Sequence, residues 1–135
     1  MVYPPLISVV DDSDSVRESL TGLIRSAGFA AEDFPSAEKF LNSEHLYDTR
    51  CLILDVRMPG MGGLELQRRL IKSDRNIPII FITAHGNEAD RSQVLRDGAV
   101  DYLFKPFTEP FTEQALNAIN AALGFEVSKK RNRTG

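Results

Sequence analysis

The sequence predicts a three-layer doubly wound α/β domain, one five-stranded parallel sheet with helices on both faces. Three observations point there. Short apolar runs and amphipathic stretches alternate along the 135 residues, giving the order βα five times. The runs CLIL and IPIIFI are continuously apolar rather than alternating, which suits strands covered on both faces. At 42% hydrophobic and 26% charged, with 9 Gly and 7 Pro, the composition is that of one ordinary globular domain able to bury its own core.

Leu6 to Val10 (LISVV) forms the first strand and stops at Asp11. From Val16, the apolar positions Leu20, Leu23, Ile24 and Ala27 recur at helical spacing, and Gly28 ends that helix. Phe29 to Phe34 is a shorter strand. Ser36 opens a brief helix carrying Ala37, Phe40 and Leu41, followed by a polar loop through Asp48 in which His45 reads as a surface residue. Cys51 to Leu54 is the third strand, ending at Asp55. After the turn MPGMGG, residues 64 to 73 form a helix with Leu66, Leu70 and Ile71 on one side. Ile77 to Ile82 is the fourth strand, with Pro78 tolerated near its start. Residues 87 to 97 make a weakly amphipathic helix closed by Gly98, Val100 to Phe104 a fifth strand, and Phe111 to Ala122 a last helix ended by Gly124.

Several function classes fall away on composition. The single Cys51, between apolar neighbours, reads as an inert core thiol in a reducing compartment. No apolar run reaches the roughly 18 residues of a membrane span, and MVYPPLISVV lacks the marks of a secretory leader, so the reading is cytoplasmic with no membrane partner. The net charge of -3 hides an asymmetry: KKRNRTG at 129–135 carries four basic groups, leaving 12 basic against 19 acidic groups, net -7, in residues 1–128. Such a body is a poor match for a phosphate backbone, so no direct DNA binding is expected. Residues 1–124 read as the domain, and 125–135 as a basic tail or the start of a linker.

In open parallel sheets, ligands bind outside the carboxyl ends of the strands. Here the first strand is followed by Asp11 and Asp12, the third by Asp55, the fourth by Thr83 and the fifth by Lys105. Taken singly, each has a plain structural explanation: Asp11 or Asp12 can cap the following helix, Thr83 is a β-former, and Lys105 can be solvated. Together they place three carboxylates, a hydroxyl and an ammonium on one rim. Two unit charges ~4 Å apart repel by about 4 kcal/mol at an effective dielectric of ~20. Either one acid is protonated, or Lys105 pairs with them, or a divalent cation binds. Oxygen ligands without His or Cys select Mg²⁺ or Mn²⁺, which favours phosphoryl chemistry. The turn DDSDS has no glycine-rich cradle for a bare phosphate. The mechanism left is a carboxylate attacking phosphorus, and Asp55 is the candidate nucleophile.

With these residues assembled, the chain resembles the receiver domain of bacterial two-component response regulators. The motifs VVDDSDSVRESL, LILDVRMPGMGGLEL, IPIIFITAHG and GAVDYLFKPF carry the resemblance over about residues 5 to 124. The MPGMGG turn and the KPF after the last strand are most similar to FixJ/NarL-type receivers. The resemblance implies a flavodoxin-like strand order 2-1-3-4-5 and a signalling domain whose Asp55 takes a phosphoryl group from a sensor histidine kinase. It implies that Asp12 and Asp55, with Asp11 acting mainly through water and the backbone carbonyl of Arg57, hold Mg²⁺. Thr83 and Lys105 then bond the phosphoryl oxygens, and Tyr102 matches an aromatic switch that turns inward as Thr83 moves. The Lys105–Pro106 bond is expected to be cis. A homodimer through the fourth helix, fifth strand and fifth helix is implied for the phosphorylated form.

Arg57 and His85 stand two residues after Asp55 and Thr83, where the resemblance implies tuning of acyl-phosphate hydrolysis. Beyond its own phosphorylation and dephosphorylation no enzymatic turnover is expected. A metal-dependent phosphatase with an Asp nucleophile is the weaker alternative, since the place of its general acid holds Arg57. A protein-interaction module without phosphorylation is the other alternative, although acceptor, lysine and acidic pair are all present.

Overall fold

A computed structural model describes residues 4–105 and 109–125, with the helix path alone at 109–111. The order is β1 (Leu6–Val10), α1 (Asp14–Ser26), β2 (Ala30–Phe34), α2 (Ala37–Leu41), a 3-10 turn (Glu44–Leu46), β3 (Thr49–Asp55), α3 (Gly63–Lys72), β4 (Ile79–Thr83), α4 (Glu88–Arg96), β5 (Asp101–Phe104) and α5 (Glu109–Ala122). The strands form one five-stranded sheet, every neighbouring pair parallel as the sequence predicts, in the order β2-β1-β3-β4-β5 that the resemblance implies. The expected Lys105–Pro106 isomer and the basic tail at 129–135 lie outside the described residues. No described helix is long and apolar enough to cross a membrane.

Two cores flank the sheet. On one face α2, α3 and α4 pack Phe40, Leu66, Leu70 and Val94 against Leu52, Leu54 and Phe81. On the other, α1 and α5 pack Leu20, Ile24, Ala118 and Ile119 against Ile7, Val9, Ile53 and Ile82. Alternate residues of β3 and β4 thus enter opposite cores, which is why their sequences are apolar throughout. Cys51 is fully buried, and burial pushes its thiol up to about 12.

Local chemistry sets the boundaries. Ser13, Ser36 and Asn87 cap α1, α2 and α4, each side-chain oxygen accepting a backbone N–H in the first turn. The expected start of the third strand at Cys51 shifts to Thr49, because the Thr49 hydroxyl meets Ser8 at 2.7 Å across β1 and ties that corner to the sheet. The fourth strand begins at Ile79 rather than Ile77. Pro78 has no N–H to donate, although its carbonyl still accepts from Leu52 at 2.9 Å. The polar loop holds the short turn Glu44–Leu46, capped by Ser43. His45 within it is half-buried, not a surface residue: its ring lies 6.5 Å from that of Phe34, and its Nδ1 is buried without a hydrogen bond among the described residues.

Candidate functional site

Parallel register brings the strand ends to one level. Val10 pairs with Leu54, Asp55 with Ile82, and Thr83 with Phe104, so the residues that leave β1, β3, β4 and β5 share the carboxyl rim. Asp11, Asp12 and Asp55 converge there, each offering a carboxylate oxygen within 4.8 Å of the others. Asp11 is fully buried, Asp55 is 5% exposed, and Asp12 faces solvent.

Lys105 reaches this cluster from the end of β5. Its Nζ lies 3.0 Å from Asp11 Oδ2 and 3.7 Å from Asp55 Oδ1. Of the ways to compensate the acids, pairing with Lys105 is therefore realised, but one cation faces three carboxylates. Burial, reinforced by Asp11 and Asp12 and opposed by Lys105, raises the Asp55 carboxyl to about 6. A pocket of oxygen ligands with surplus negative charge and no His or Cys fits a hard divalent cation.

The backbone around Asp55 leaves no room for side chains. A Cβ on Gly63 would fall 2.3 Å from the Asp55 carbonyl oxygen, so only glycine lets α3 start against the end of β3. The Gly63 N–H donates to the Val56 carbonyl at 2.9 Å, closing the loop between them. Within that loop Gly60 takes φ +75°, and the Met61 N–H donates to Glu38 on α2 at 3.1 Å. The MPGMGG turn is thus pinned at both ends.

Thr83 is buried at 1% exposure, next along β4 from the residue paired with Asp55. Its hydroxyl oxygen accepts the His85 N–H at 3.2 Å, which leaves its own hydrogen available. The His85 side chain is exposed. The Arg57 guanidinium is 3.5 Å from Asp90 on α4, with 61% of the side chain exposed.

Tyr102 lies on β5, buried at 3% exposure. Its ring meets Phe104 edge-on at 5.5 Å. Burial raises its phenol, an effect that the nearby Asn87 backbone opposes, and among the described residues the buried hydroxyl has no hydrogen-bond partner. A Cβ at Gly86 would come within 2.9 Å of that hydroxyl, 2.8 Å of Thr83 Cγ2 and 2.3 Å of Phe104 Cε1. Gly86 is therefore the gap through which Thr83, Tyr102 and Phe104 meet.

Arg17 was not a candidate from sequence. Its guanidinium donates to the Asp11 carbonyl at 2.7 Å, to Asp33 on β2 at 2.9 Å, and to Asp14. One signal was present: a basic residue in the first turn of a helix opposes the helix dipole and needs a local reason.

The model of the response regulator receiver domain matches residues 7–117. The chain is 44% identical over 127 residues to the response regulator protein TodT of Pseudomonas putida, covering 94% of this chain and 55% of that protein. It is 44% identical over 117 residues to nodulation protein W of Bradyrhizobium diazoefficiens, covering 87% and 50%. The crystal structure of FixJ-N is similar at a TM-score of 0.76 and 37% identity, over 95% of this chain and 98% of that one. The response regulator StyR is similar at 0.80 and 45%, over 90% and 60%. The chain spans about half the length of the curated relatives it matches.

Proposed function

The chain belongs to the response regulator receiver domain family, and from that premise we propose that Asp55 is its phosphoacceptor, loaded by a sensor histidine kinase in a Mg²⁺-dependent reaction. The observation that carries this reading is the convergence of Asp55 with Asp11, Asp12 and Lys105 at the end of β3. Asp11, Asp12 and Asp55, with the Arg57 backbone carbonyl, are the proposed ligands of Mg²⁺ or Mn²⁺. When bound, the ion offsets the excess acid and polarises the transferring phosphoryl group.

The chain's own residues do the rest. An ionised Asp55 oxygen attacks phosphorus; a P–O bond forms as the P–N bond to the kinase imidazole breaks, and the electron pair leaves with that nitrogen. The product carries about -2 charge where one carboxylate stood. Lys105, held between Asp11 and Asp55, gains a phosphoryl oxygen as partner. The Thr83 hydroxyl, whose hydrogen is uncommitted, gains another. Movement of Thr83 towards the phosphoryl group alters its packing with Gly86, Tyr102 and Phe104, and so biases α4, β5 and α5. Because Tyr102 is already inward, phosphorylation acts by stabilising one arrangement of a small set. Phe104, 49% exposed beside Arg91 and Gln114, is the apolar centre of a face suited to a phosphorylated homodimer. Arg57 and His85, at the pocket's edge, tune water access to the acyl phosphate. Catalysis is limited to self-phosphorylation and self-dephosphorylation, and the acidic body makes DNA a poor direct partner of this domain.

Incubation with acetyl phosphate, with and without Mg²⁺, tests the reading by intact mass. An adduct of one phosphoryl group that requires Mg²⁺ and disappears in Asp55→Asn is expected. No adduct under any condition sinks it and favours a protein-interaction module.

A further inference from the structure

We propose that Arg17 is a positioning residue for the exposed acid of the pocket, Asp12, an inference that rests on the Mg²⁺-dependent reading above. The two other acids are fixed through their own side chains. The Asp11 carboxylate accepts from Lys105 at 3.0 Å and from the Ser13 N–H at 2.9 Å, while Asp55 is walled in at the end of β3. Asp12 differs: among the described residues no hydrogen bond or ion pair holds its carboxylate, and it faces solvent. Its place is therefore set by its main chain alone.

The peptide joining Asp11 to Asp12 is what Arg17 holds. Nη1 donates to the Asp11 carbonyl at 2.7 Å, which fixes the plane of that peptide and hence the direction in which Asp12 leaves it. The guanidinium is itself anchored, with Nε on Asp33 at 2.9 Å and Nη2 on Asp14. One planar fork so joins the end of β1, the start of α1 and the end of β2, with only 12% of the side chain exposed. Lysine at this position carries its three hydrogens on a single nitrogen, which cannot span acceptors on three elements or fix the peptide plane as a planar fork does.

The consequence is a dependence of cation binding on a residue that never touches the cation. Residues supporting ligands from behind typically govern affinity by ~10-fold or more. Mg²⁺ titrations of the full chain, read by the thermal midpoint and by acetyl-phosphate adduct mass, separate this role from mere stability. Arg17→Lys is expected to raise half-saturation by about 10-fold in both readouts, with adduct yield restored at saturating Mg²⁺. Asp33→Asn, which loosens one anchor of the fork, is expected to raise it by about 3-fold. A lower midpoint with unchanged half-saturation overturns the inference. If Arg17→Lys does not fold, Asp33→Asn decides alone, and an unchanged half-saturation overturns it. A wild-type chain that shows neither a Mg²⁺ response nor an adduct overturns the proposed function and this inference together. A responsive wild type matched by Arg17→Lys overturns this inference only.

Discussion

Two helices on the same face of the sheet are held very differently. α3 buries Gly63, Leu66, Gln67 and Leu70, and its first residue sits against the backbone of Asp55. α4 buries only Val94. Its other ties are few: the Gln67 side chain donates to the Val94 carbonyl at 3.3 Å, and Arg57 pairs with Asp90 at 3.5 Å. Asp55, the proposed acceptor, thus stands beside the more deeply packed helix, while Thr83 and Tyr102 stand beside the more loosely packed one. Chemistry needs groups held within fractions of an ångström, whereas signalling needs an element whose alternatives differ by little free energy.

The contrast is tested most severely by adding one methyl group on each side. In Gly63→Ala the Cβ meets main chain, at 2.3 Å from the Asp55 carbonyl oxygen. The end of β3 must shift, and a loss of about 3 kcal/mol or more is expected, read by urea denaturation. Gly86→Ala also places a Cβ 2.3 Å from a neighbour, but its neighbours are the side chains of Phe104, Thr83 and Tyr102, which can turn away. Less than half the loss is expected there. Equal losses would show that the α4 side is as rigid as the α3 side.

A second test asks whether the fixed half is under electrostatic load. Burial holds the Asp55 carboxyl up at about 6 in the folded chain, well above the ordinary carboxylate range, so the folded state binds its proton more readily than the unfolded state does. Its stabilising influence is full below about pH 4 and is lost as pH rises through 6. With Mg²⁺ chelated, Asp55→Asn is therefore expected to stabilise the protein by about 2 kcal/mol at pH 8, and by little at pH 4. Thermal melts at the two pH values check this, and a destabilised variant at pH 8 would contradict it.

The sequence made the acidic rim legible because a parallel α/β sheet sends every strand's end to the same side. Asp11, Asp12, Asp55, Thr83 and Lys105 needed only the strand count and direction to be brought together. What escaped depends on contacts between elements remote in sequence. Arg17 reads as one more polar position of an amphipathic helix until β2 brings Asp33 to it. Glu38 looks like an ordinary surface acid until α2 brings it to Met61. Gly63 belongs to a glycine-rich turn, but that its Cβ is forbidden by Asp55 is a matter of packing. The half-burial of His45 likewise follows from where Phe34 lies, not from its polar loop.

Beside α4, a smaller effect is expected from Tyr102. Among the described residues its buried hydroxyl has no hydrogen-bond partner, and an unpaired polar group in that position costs about 1–3 kcal/mol. Tyr102→Phe keeps the ring and its edge contact with Phe104, and is expected to stabilise the unphosphorylated chain by about 1 kcal/mol. A destabilised variant would mean that the hydroxyl is satisfied in solution.

The smallest effect separates local from global stability. The Arg57–Asp90 pair is long at 3.5 Å and its arginine is 61% exposed, so its removal should change global stability by no more than about 0.5 kcal/mol. Yet it is one of few bonds between α4 and the loop after Asp55, and α4 has little buried surface to replace it. In Arg57→Ala the thermal midpoint is expected to stay nearly fixed while amide exchange in α4 quickens about two-fold and that in α3 does not. High salt should bring the wild-type α4 towards the variant's rate, because an exposed pair is screened. A midpoint loss of several degrees, or faster exchange spread equally over α3, would mean that the two helices open as one unit.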